Sequence, residues 1–141
     1  MKRLELTADL ETGVAAIDKQ HRELFSWANA LSENDVVADE KKLKEALDNL
    51  DSYVVYHFRT EEEAMDTYSY DRLKKHREQH HRLMSEVGQL YGRVKREGAS
   101  KGLLAELQYM LADWFNLHIM EWDKPLATFL KSKKASVKYS R

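Results

Sequence analysis

The sequence predicts an all-α protein: an up-down-up-down antiparallel four-helix bundle with an N-terminal arm and a short C-terminal helix. Three observations carry that expectation. The chain has 141 residues, 33 % charged and 43 % apolar, with one proline and five glycines, so the punctuation that strands need is nearly absent. Apolar residues recur at steps of three and four over long stretches. The polar connectors between those stretches are short, which makes successive helices antiparallel neighbours. This length suits one domain with a substantial core.

Residues 1–17 read as the arm, in which Leu4, Leu6 and Leu10 can dock on a core and Gly13 permits a turn. Asp18 reads as an N-cap. Ile17, His21, Leu24, Phe25, Ala28 and Leu31 then form the apolar stripe of a first helix ending near residue 32. Ser32 to Val37 reads as a polar connector, and Asp39 as the next cap. The second helix carries Leu43, Leu47, Leu50, Val54, His57, Glu61 and Met65 on one face, to about residue 66. After a turn at Thr67 to Asp71, the third helix aligns Leu73, His76, His80, Leu83, Val87, Leu90 and Val94, with Gly98 as its stop. Ser100 caps a fourth helix with Leu104, Leu107, Leu111, Trp114 and His118 in line. Pro125 lacks an N–H and disfavours α geometry at Lys124, so the helix should loosen there. Leu126, Phe129 and Leu130 suggest the short closing helix. The bundle is placed at 18–130. Residues 131–141 hold five Lys or Arg and no acid, and read as a solvated basic tail.

Five of the six histidines fall on these inward stripes. Four residues of α-helix turn roughly 400° and rise about 6 Å, so His57 and Glu61 share one face, as do His76 and His80. His81 lies about 100° round and belongs outside. A lone histidine on such a stripe is more often a hydrogen-bonded core residue, and a His/Glu pair at this spacing is an ordinary helix contact. An apolar bundle has no structural reason to bury five imidazoles together, however, and inward ionisable groups are costly unless paired or metal-bound. With Asp123, the inventory is five histidines and two carboxylates. Two metals sharing both carboxylates accommodate that set; one metal does not. Asp123 stands about 140° from His118 on a straight helix, so the last turn must break for both to reach one site.

The absence of cysteine excludes disulfides, iron–sulfur clusters and thiolate chemistry. A net charge of −1 gives no field for nucleic acid. No apolar run approaches the ~20 residues of a membrane span, and the N-terminus lacks the apolar stretch of a signal peptide. A cytoplasmic monomer is expected.

Gly13-Val-Ala-Ala-Ile-Asp-Lys-Gln-His21, His57-Phe-Arg-Thr-Glu-Glu62 with Met65 and Tyr70, His76-x3-His80, and Trp114-Phe-Asn-Leu-His-Ile119 followed by Asp123 stand in that order. Together they resemble the motifs of the hemerythrin family, most closely its stand-alone bacterial members. The resemblance implies two iron ions (Fe2+/Fe3+) with an oxo or hydroxo bridge. By that analogy His76, His80 and His118 hold one iron, His21 and His57 the other, and Glu61 and Asp123 bridge. The second iron, one ligand short, is where O2 would bind, near Phe58, Phe115 and Ile119. Three positions depart from the family pattern: Phe115 stands where relatives usually have Leu, Asp71 follows Tyr70 in place of a common Pro, and Leu6 takes the place of an arm Trp.

Reversible O2 binding, as carrier, store or supplier, is therefore the expected function, rather than catalysis. Neutral imidazoles are poorer donors than extra carboxylates and should stabilise high-valent iron less. The competing expectations are an O2, redox or NO sensor acting through a separate, unidentified partner or client, and a peroxidase or NO-consuming enzyme at the same iron. No acid or base beyond the ligands is expected on the stripes; Glu62 and Glu121 are expected to be exposed.

Overall fold

A computed structural model describes residues 3–137 of the chain. Its helices are α1 (Ala15–Ala30), α2 (Asn34–Val37), α3 (Glu40–Thr67), α4 (Leu73–Glu97), α5 (Lys101–His118) and α6 (Lys124–Ser132). A 3-10 turn covers Ala8–Leu10, and a π-helical turn, Ile119–Asp123, joins α5 to α6. No strand occurs among the described residues. The four long helices form a ring in which α1 packs on α3, α3 on α4, α4 on α5 and α5 on α1. None of the helices is long and apolar enough to cross a membrane.

The caps explain most boundaries. Asp39 accepts from the amides of Lys41 and Lys42 at the start of α3, and Ser100 from Leu103 at the start of α5. Gly98, at φ 91, ends α4. α3 ends in a Schellman motif, with Ser69 at φ 56, Tyr70 N–H donating to Met65 O and Ser69 N–H to Asp66 O.

Asp18 is a correction. α1 begins at Ala15, and Asp18 lies inside it, where its carboxylate reaches back to accept from Thr12 N, Thr12 Oγ1 and Gly13 N at 2.9, 2.8 and 3.1 Å. An aspartate near a helix start can bond forward as a cap or back into the preceding chain; here the arm takes it. The connector after α1 is also not irregular, because Asn34–Val37 winds one helical turn. On α5, Trp114 is half-buried and Phe115 takes the fully buried position. The arm docks through buried Leu4 and Leu10, and Asn29 holds it by accepting from Leu4 N and donating to Leu4 O. α6 runs to Ser132, and the half-buried Ala135 and Val137 pack behind it. The outer part of the expected tail, 138–141, lies outside the described residues, as do residues 1–2 of the arm.

The core is in two parts. A large cluster includes Leu24, Phe25, Val54, Phe58, Leu83, Leu111 and Phe115. A smaller one holds Ile17, Ala64, Met65, Tyr70, Leu126 and Leu130. His21 falls between Ile17 and Leu24 on α1, and His57 and Glu61 between Val54 and Ala64 on α3. The inward ionisable residues thus form a polar layer between two apolar ones.

Candidate metal centre

Every long helix contributes to this layer. α1 supplies His21, α3 His57 and Glu61, α4 His76 and His80, and α5 His118, with Asp123 at the end of the π turn. All seven side chains are buried, at 0–3 % exposure. Asp123 Oδ2 lies 3.1 Å from His21 Nε2 and 4.0 Å from His57 Nε2; its Oδ1 lies 3.2 Å from His76 Nε2 and 3.0 Å from His118 Nε2. One carboxylate therefore faces two groups of imidazoles, one with each oxygen. Glu61 Oε1 lies 3.1 Å from His80 Nε2, 3.6 Å from His76 Nε2 and 3.7 Å from His57 Nε2.

The donors fall into two overlapping groups. Glu61, His76, His80, His118 and Asp123 form one; His21, His57, Glu61 and Asp123 form the other. In each, the ligand atoms all lie within 4.8 Å of one another. All four oxygens of Glu61 and Asp123 are buried and accept no hydrogen bond. Two buried carboxylates and five imidazoles crowded together in a layer between apolar clusters call for cations. This donor set fits two metal ions.

The π turn brings Asp123 into the cluster, which corrects the expected break. The helix does not break before Pro125; it widens, with Lys124 N–H donating to Ile119 O, five residues back. Five residues of π-helix close about one turn, so His118 and Asp123 share a face. Lys124 keeps α geometry despite the following proline, at φ −65 and ψ −45. The looser register removes the need for Pro125 to donate to Glu121 O, and Glu121 is exposed.

Outside the seven, two imidazoles are held by named partners. Thr60 Oγ1 donates to Tyr56 O, so it accepts from Gln20 Nε2; Gln20 Oε1 is thereby turned to His57 Nδ1 at 2.9 Å. His57 must donate there, which leaves its Nε2 lone pair facing the centre. His80 Nδ1 faces Glu62 Oε2 at 2.9 Å, and Glu62 Oε1 accepts from Arg77 Nε at 3.0 Å. Glu62 is thus a second correction: it is 24 % exposed and turned toward His80. Gln20 and Thr60 were not legible as site residues, and neither was the inward turn of Glu62. Each stands beside a ligand in sequence but on the flank of the stripe, where periodicity reads surface.

Burial drives His57 down to about 3, against the pull of Glu61. Burial pushes His76 the same way, but Asp123 and Glu61 outweigh it and raise His76 to about 9. Burial and the Asp123 charge push Glu61 up, and the imidazoles of His57, His76 and His80 bring it down to about 2.

Aromatic rings wall the layer. Phe25 lies parallel to His21 at 6.1 Å, and Phe115 lies 6.4 Å from His21 and 6.1 Å from Phe25. Phe58 stacks on His80 at 3.8 Å and lies 5.9 Å from His57. Trp114 stacks on His118 at 4.1 Å. Ile119 is fully buried in the large cluster with Phe58 and Phe115.

The family model described as the hemerythrin HHE cation binding domain matches residues 12–130. The chain is similar to the bacteriohemerythrin of Methylococcus capsulatus, 27 % identical over 117 residues, covering 83 % of this chain and 88 % of that one. It is similar to that of Stenotrophomonas maltophilia, 28 % identical over 124 residues, with 88 % and 79 % covered. The bacteriohemerythrin of Clostridium acetobutylicum is 26 % identical over 120 residues, with 82 % and 92 % covered. Among solved structures, a crystal structure of a leucine-to-phenylalanine mutant superposes with a TM-score of 0.76 at 28 % identity, covering 91 % of this chain and 97 % of that one.

Proposed function

The chain belongs to the hemerythrin HHE cation-binding domain family, and we propose that it binds O2 reversibly at two iron ions held by His21, His57, Glu61, His76, His80, His118 and Asp123. The observation that carries this reading is the unequal division of the donors: three histidines in one group, two in the other, with Glu61 and Asp123 common to both. The two-histidine side is one donor short, and a small ligand fits that shortfall. Two ferrous ions would supply the electron pair that O2 takes up on binding and returns on release.

The protein's own residues do the rest. Glu61 and Asp123, common to both donor groups, would help hold both cations, and their two negative charges would offset the cationic charge in the buried layer. Gln20 keeps the His57 Nε2 lone pair directed inward. Phe25, Phe58 and Phe115 exclude water from the two-histidine side, with Ile119 completing the apolar wall. Among the described residues, the partner behind His57 on the two-histidine side is the neutral Gln20, while the Glu62 carboxylate stands behind His80 in the far group. That favours carriage over turnover. We propose further that it acts as a cytoplasmic monomer.

The test is an optical spectrum of iron-loaded, fully reduced protein before air, after air, and after argon. Reversible carriage predicts an absorption band that grows with air and vanishes under argon, leaving reduced protein. Prompt conversion to a stable oxidised form would sink the carrier reading and favour a redox sensor or an enzyme.

A further inference from the structure

The two halves of the centre are backed by different chemistry. Behind His57 stands Gln20, a neutral amide 2 % exposed and anchored by Thr60. Behind His80 stands the Glu62 carboxylate, oriented by Arg77. Both acceptors fix the same tautomer, with the proton on Nδ1 and the Nε2 lone pair directed inward. They differ in charge. A hydrogen bond to a carboxylate is about twice as strong as one to a neutral acceptor, and it passes electron density through the ring to Nε2. The shared carboxylates, Glu61 and Asp123, cannot make this distinction, because both groups contain them.

We infer that Glu62 is a positioning residue which, through His80, makes the three-histidine half the tighter and more electron-rich of the two metal sites. This rests on the two-metal reading above. Its consequence is an order of events: the three-histidine half fills first and keeps its metal longer, and the two-histidine half is left free to exchange a small ligand.

The surroundings of Glu62 provide a specific test. A surface groove of about 520 Å³ between α3 and α4 is lined by Glu62, His80, Arg77, Phe58, His81 and Met84, among others. A small carboxylate can enter it and stand where the Glu62 carboxylate stands. Gln20 is enclosed and offers no such route.

The experiment is a cobalt(II) titration of the full chain, read by visible ligand-field absorption and calorimetry, for the unaltered protein, Glu62→Ala, Glu62→Gln and Gln20→Ala. The unaltered protein is expected to take two equivalents with unequal affinity. Glu62→Ala should weaken the tighter equivalent about 10- to 100-fold and leave the weaker one unchanged. Formate should recover the lost affinity in Glu62→Ala and not in Gln20→Ala. Glu62→Gln keeps an acceptor and the shape of the side chain, so it separates charge from folding; it should show a partial loss at the same equivalent. Unchanged affinity in both Glu62 variants would overturn the inference while leaving the two-metal reading standing. Equal weakening of both equivalents with no recovery by formate would overturn it as well, by reducing Glu62 to a general structural role. Fewer than two equivalents in the unaltered protein would overturn the two-metal reading and the inference together.

Discussion

A buried neutral imidazole has two nitrogens and one proton, and at His57 it is Gln20 that decides where the proton sits. The decision propagates from an ordinary local contact, the Thr60 hydroxyl bonding back to Tyr56 O one turn earlier in α3. The buried histidines also set an acid–base balance. His57 is held down to about 3, first by burial, so the unfolded chain takes a proton near 6.5 that the folded chain refuses. Stability from this residue falls as pH drops from about 6.5 toward 3. His118, lowered chiefly by burial, acts in the same direction. His76 acts in the other: burial lowers it, but the carboxylates raise it to about 9, so its contribution is full below about 6.5 and lost as pH rises through 9. His80 is also raised, against burial, by Glu61 and Glu62. With metal removed by a chelator, stability should therefore peak near pH 6.5. Urea midpoints measured between about pH 4 and 9 check this; a midpoint that climbs steadily across that range contradicts it.

At the scale of elements, the π turn interrupts the α register between α5 and α6 and is the piece of chain on which Asp123 depends. Pro125 signalled an interruption, but a proline says only that an amide is missing, not whether the helix breaks or widens. Here it widens: His118, Asp123 and Lys124 all keep right-handed helical backbone angles, and Leu126 and Leu130 beyond the turn lie in the smaller core cluster. Deleting Met120, an exposed residue inside the turn, reduces the spacing from His118 to Asp123 from five to four. An α turn puts that spacing on one face too, so two equivalents of metal should still bind. Pro125 would then sit in a regular α ladder and clash with the carbonyl four residues back, at a cost of about 3 kcal/mol. Metal stoichiometry and urea unfolding of the deletion variant read the two effects separately. Loss of metal with stability intact would mean that the π turn aims Asp123 in a way an α turn cannot.

Across the whole molecule, the polar layer divides the apolar core and draws on all four long helices. A metal pair there would tie α1, α3, α4 and α5 together at one level, so metal binding and folding are coupled. At a free concentration 1,000 times its dissociation constant, each ion stabilises by about 4 kcal/mol. Chelation is expected to lower the melting temperature by at least about 10 °C while leaving helical circular dichroism at low temperature largely intact. The two core clusters can hold the bundle without the ions; collapse of the helical signal on chelation would show that they cannot.

The sequence by itself determined the four long helices, their antiparallel order and six of the seven buried ionisable side chains of the layer, Asp123 being the exception. These follow from periodicity: once Leu50, Val54, Leu83 and Leu111 must face inward, His57, Glu61, His76, His80 and His118 have no other direction to point. The caps at Asp39 and Ser100 and the stop at Gly98 were legible because each acts within a few residues of chain. Tertiary structure alone decided where Asp18 bonds, how the helix passes Pro125, and which residues stand behind the imidazoles. Gln20, Thr60 and Glu62 lie on the flanks of their stripes, and a flank is buried or exposed according to how closely a neighbouring helix approaches. That approach depends on packing between residues 15 to 40 positions apart in sequence, and no local pattern records it.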